Sequence, residues 1–98
     1  MSKEMPFTEE RPWGEFREFV NGEAVTVKII TIKRGESLSL QKHRKRSEFW
    51  RILKGTPEVI IGETTVRAHP GDEFTVPVGV IHRVSAIDDD AEFLEISR

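Results

Sequence analysis

GESLSLQKHRKRSEFWRILKG, residues 35 to 55, reads as two strands joined across a basic turn. Ser37 to His43 and Glu48 to Lys54 are short runs, and glycines stand at both ends of the stretch, the punctuation that separates strands. Gln41 and His43 stand two residues apart, so on a strand they share one face. The turn through Arg44 to Ser47 lets the second strand run back alongside the first, and Glu48 then faces the same space.

The chain on either side has the same texture. Nine Val, nine Ile and seven Thr, out of 98 residues, fall in short runs broken by Gly, Pro, Asn and Asp, the composition of pleated and half-buried chain. Further strands are expected at Glu15 to Val20, Ala24 to Lys33, Glu58 to Ile61, Thr64 to Ala68, Glu73 to Pro77, His82 to Ala86 and Glu92 to Ser97. Asn21-Gly22 has the residues of a hairpin turn, and Asp88 to Asp90 reads as a polar loop. No helical stretch is evident. Some nine short strands without crossover helices point to an all-β sandwich or closed barrel with antiparallel sheets. The length suits one domain over residues 1–98, with an N-terminal arm at 1–14.

Lys28-Ile29-Ile30-Thr31-Ile32 and Val59-Ile60-Ile61 are nearly continuous apolar runs, as expected of strands covered on both faces. A homodimer is therefore expected, with a fold-back of the N-terminal segment as the alternative cover. The remaining bulk properties exclude several classes. No apolar run is long enough for a membrane span, and the N-terminus MSKEMPFTEERPWG lacks the apolar core of a secretion signal, so the cytoplasm is the expected location. A net charge of -2 argues against nucleic acid as a partner. With no cysteine, any metal must be held by nitrogen and oxygen donors.

Such donors are present. The stretch GDEFTVPVGVIH, residues 71 to 82, places a second histidine, His82, after a Pro and Gly that shape a tight entry. With Gln41, His43 and Glu48 it makes two imidazoles, one carboxylate and one amide, a set suited to one divalent ion: zinc first, with manganese, iron, cobalt or nickel as alternatives.

These two segments resemble the paired signatures of the cupin superfamily, whose fold is a jelly-roll barrel, a double-stranded β-helix. Gly35, Gln41, His43, Glu48 and Gly55 meet the first signature; Gly71, Pro77, Gly79 and His82 meet the second, within residues 71–86. More narrowly, RPWG at 11 to 14, LSLQKHRKRSEFW at 38 to 50 and PVGVIHR at 77 to 83 resemble the cupin domain of type II mannose-6-phosphate isomerases, here without the nucleotidyltransferase half. Phe49 stands where that family usually has histidine. The resemblance implies a metal on Gln41, His43, Glu48 and His82, and isomerisation of mannose 6-phosphate to fructose 6-phosphate. Arg46 and Arg83 are then the phosphate and catalytic candidates, with Lys28 and Lys45 behind them, because a guanidinium fork matches phosphate. Glu48 is a candidate base only where the metal does not fully engage it.

Trp50 shares parity with Glu48 and suits either a sugar-stacking wall or the core. Trp13 is expected to pack structurally or at a dimer contact, His69 to lie at the surface, and Glu95, which alternates with Phe93, to join a salt bridge, with an inward polar position as the alternative. Two other functions fit the same donors: a non-catalytic cupin that binds a sugar phosphate or small acid, and a small metal-dependent oxygenase.

Overall fold

The structure is a computed structural model that describes residues 4 to 40 and 45 to 98. Among them every regular element is a strand: β1 (Phe7–Arg11), β2 (Gly14–Glu18), β3 (Thr26–Ile32), β4 (Glu48–Lys54), β5 (Glu58–Ile61), β6 (Thr64–Arg67), β7 (Glu73–Val76), β8 (His82–Ser85) and β9 (Ala91–Ser97). β1 and β2 form a hairpin. The others make two antiparallel sheets, ordered β3-β9-β4-β7 and β6-β5-β8. From β4 onward the chain crosses repeatedly between these sheets, and it winds them into a jelly roll rather than a meander.

Register decides which side chains face inward. Along β9, Ala91, Phe93, Glu95 and Ser97 share one face; they stand opposite Ile32, Ile30, Lys28 and Thr26 on β3. The same face of β4 carries Glu48, Trp50 and Ile52, aligned with Ser97, Glu95 and Phe93. From the facing sheet come Val59 and Val84, and one core joins them to Ile32, Trp50, Ile52, Ala68, Val76 and Phe93. Burying that set is the main drive to fold.

The outer face of β4 is covered by the chain that follows β2. The Phe19 and Phe49 rings meet at 5.7 Å, and Arg17 and Arg51 both bind Glu73. The alternative cover thus serves Phe49 on β4, while Val27 and Ile29 on β3 stay 56% and 62% exposed.

Gly55 ends β4 at a φ of +77°, and a Cβ there would lie 2.4 Å from the Asp90 carbonyl oxygen. Only glycine lets these two loops approach so closely.

Three expectations need correction. Phe7–Arg11 is a strand within what the sequence suggested was an arm, because it pairs with β2. Asn21-Gly22 is no hairpin turn between neighbours, since β2 pairs with β1 while β3 pairs with β9. Among the described residues, the expected strand from Ser37 shows one bridge, Ser37 with Ser85, and backbone bonds beside β8 as far as Leu38. Beyond it Leu40 is 55% exposed, and Gln41 to His43 lie outside the described residues.

Candidate metal centre

His82 opens β8 straight after the Pro77 to Val80 turn, which Val80 closes with a bond to the Pro77 carbonyl of 3.3 Å. The same turn sets the ring. His82 Nδ1 lies 2.9 Å from the Val80 carbonyl, which can only accept, so Nδ1 carries a proton and donates. The other nitrogen, Nε2, is thereby directed to the interior, the arrangement that orients histidine ligands. Glu48 Oε2 lies 2.8 Å from it. Glu48 and His82 are 3% and 4% exposed, so a charge on either is held away from water.

A buried imidazole nitrogen and a carboxylate oxygen this close, on strands of opposite sheets, suit one cation touching both. Gln41 and His43, the other two expected ligands, lie outside the described residues. Among the described residues no group of three or more His, Cys, Asp or Glu is arranged to hold a metal.

The register adds two side chains. Glu95 is 6% exposed, and its carboxyl feels that of Glu48. Burial, then the Glu48 carboxyl, pushes Glu95 above the usual carboxylate range, against the smaller opposing pull of Ser97 and Lys28. Ser97 Oγ donates to Glu95 Oε1 at 3.1 Å. The signal was the alternation Phe93, Glu95, Ser97, which places an acid on the same face as a core phenylalanine.

The expected substrate residues separate. Lys28 stands opposite Glu95 on the inward-facing register of β3. Arg46 is exposed and lines a cleft of about 360 Å³ with Ala24, Val25, Thr26, Ser97 and Arg98, so Ser97 joins this cleft to the buried carboxyls. Lys45 is exposed. Arg83 departs from expectation: it directly follows His82 on a strand, so it takes the opposite face, aligned with Ile60. Trp50 is 1% exposed and packs in the core, its ring tilted against Phe93 and edge-on to His82 at 5.5 Å. It supports the imidazole rather than offering an open stacking wall. Its buried indole Nε1 has no hydrogen-bond partner among the described residues. Trp13 is 74% exposed at the tip of the β1–β2 hairpin, and His69 is exposed beside Asp72.

The family described as mannose-6-phosphate isomerase C-terminal matches residues 2–94. The chain belongs to that family. Curated relatives of this chain include a mannose-1-phosphate guanylyltransferase of Sinorhizobium fredii, 39% identical over 74 residues. The xanthan biosynthesis protein XanB of Xanthomonas campestris is 40% identical over 74 residues. Each alignment covers 76% of this chain but only 14% and 16% of the relative, so the chain spans about a seventh of their length. Among solved structures, a cupin 2 conserved barrel domain protein from Rhodopseudomonas palustris aligns with a TM-score of 0.74 and 22% identity over 82% of this chain and 56% of that one. A cupin-2 domain from Rhodospirillum rubrum gives 0.74 and 24% over 81% and 53%. The jelly roll is therefore a cupin fold. Within this family member, Phe49 lies on the outer face of β4 against Phe19, away from the Glu48 and His82 side chains.

Proposed function

We propose that the domain is a metal-dependent sugar-phosphate isomerase that converts mannose 6-phosphate to fructose 6-phosphate. The observation that carries this reading is the buried pair of Glu48 Oε2 and His82 Nε2 at 2.8 Å, standing where both motifs of the family converge. Gln41, His43, Glu48 and His82 would hold one divalent ion, zinc first. Bound there, such an ion supplies Lewis acidity toward the sugar oxygens. The chain's own residues do the rest. Arg46, on the cleft that Ser97 joins to the buried carboxyls, offers a cationic donor for the phosphate, with Lys28 and Lys45 as further candidates. Val80 and Trp50 fix the His82 ring, and the apolar end of the barrel keeps water from the buried donors. Arg83, on the opposite strand face, has no part in this arrangement.

The assay is direct. Protein loaded with zinc, manganese, cobalt or nickel should form fructose 6-phosphate from mannose 6-phosphate, and Arg46→Ala should raise KM more than it lowers kcat. No product with any of these metals overturns the isomerase. A second reading is a sugar-phosphate binding domain without turnover, which the same buried pair of Glu48 and His82 would serve equally well. A saturable rise in melting temperature with mannose 6-phosphate and no product selects it. The exposed Val27 and Ile29 on β3, at the edge of its sheet, are consistent with a second copy of the chain pairing there.

A further inference from the structure

Arg98 follows β9 directly and lines two clefts. Its backbone N–H donates to the Ser47 carbonyl at 3.0 Å, which fixes the residue beside the start of β4. The guanidinium is held along one edge. Nε donates to Glu23 Oε2 at 3.0 Å, and Nη2 donates to the Phe19 carbonyl at 3.3 Å and lies 3.5 Å from Glu23 Oε1. Among the described residues Nη1 makes no hydrogen bond. Because Arg98 lies beyond the last paired residue of β9, strand alternation does not carry it to the far face as it carries Arg83.

The two clefts differ in charge. One, of about 240 Å³, has Phe19 and Phe49 in its wall and no second cation among the described residues. The other, of about 360 Å³, also holds Arg46 and Thr26, and it reaches the barrel interior at Ser97, which is aligned with Glu48 across the sheet. An anion therefore favours the second. A phosphate monoester carries roughly −1.5 to −2 charges at pH 7, more than one guanidinium offsets. Glu23 neutralises part of the Arg98 charge, yet the same pairing holds the planar fork still, so its open edge is offered to an anion with little ordering left to do.

We infer that Arg98 is a second phosphate-binding residue, closing with Arg46 on the phosphate of a bound sugar phosphate. The inference deepens the sugar-phosphate reading and rests on it. Arg98 takes the place that adjacency to His82 gave to Arg83 in the sequence.

The test uses inorganic phosphate and mannose 6-phosphate as separate probes. Inorganic phosphate titrated into the metal-free wild type should move the Arg98 Nε–H resonance. Arg98→Ala should bind both probes about tenfold more weakly, the loss expected of a charge-assisted hydrogen bond, with zinc affinity unchanged within a few-fold. Arg98→Lys, which keeps the charge and loses the fork, should recover part of that loss. Should Arg98→Ala fail to fold, the wild-type resonance and Arg98→Lys carry the test. An Arg98 resonance unmoved by saturating phosphate, an Arg98→Ala that binds phosphate as wild type does, or one that loses zinc in the same proportion overturns the inference. Inorganic phosphate bound through Arg98, with mannose 6-phosphate neither bound nor turned over, overturns the sugar-phosphate reading instead and leaves Arg98 as a phosphate site.

Discussion

The two ends of the barrel interior are built on the same strands and have opposite chemistry. On β9 the inward face reads Ala91, Phe93, Glu95, Ser97; on β4 it reads Ile52, Trp50, Glu48. Two residues along the strand, with burial almost unchanged, a wholly enclosed phenylalanine gives way to a carboxyl. The apolar end gains from leaving water, whereas every polar group at the other end needs a partner to offset its lost hydration. One end holds the fold and the other is held by it, and Trp50 is the boundary, in contact with both Phe93 and His82.

The largest effect expected from breaking this contrast is at the apolar end. Phe93→Ala removes a ring that is 0% exposed and packed on Trp50, and should cost about 3–5 kcal/mol in urea unfolding. A cost no greater than that of a surface substitution would deny the apolar end its role.

A smaller effect is expected on the outer face of the barrel, at Glu73. Burial works to raise this carboxyl, but the hydrogen bonds from Arg17 and Arg51 outweigh it, and the net result lies below the ordinary 4.5. The folded state therefore holds the proton more weakly than the unfolded one. This stabilisation is fully present above pH 4.5 and is lost as pH falls through the lowered value. Glu73→Gln should flatten the acid limb of a stability-against-pH curve, and should cost roughly 1 kcal/mol or less at neutral pH, as exposed ion pairs do. An unchanged acid limb would place the acid sensitivity elsewhere.

Much of this contrast was legible in the sequence. Val, Ile and Thr in short runs reveal strands wherever one face is buried, and of the four side chains the motif glycines point to, the described pair Glu48 and His82 lies 2.8 Å apart. The parts that were missed depend on pairing. Alternation places Glu95 on the face of Phe93, but only the alignment of β9 with β4 brings it to Glu48. Arg83 was assigned by adjacency to His82, and adjacency on a strand means the opposite face. Asn21-Gly22 has the composition of a hairpin turn, yet the jelly roll pairs β3 with the last strand of the chain, a long-range choice that local turn chemistry does not encode.

The central claim is that the polar end of the barrel is a cation site built on Glu48 and His82. Elemental analysis of the folded protein after exposure to zinc, manganese, cobalt and nickel, and removal of excess, tests it most directly. One divalent ion per chain is expected in the wild type and none in Glu48→Ala or His82→Ala, with both variants still folded by circular dichroism. A wild type that retains no ion, or variants that retain as much as the wild type, would contradict it.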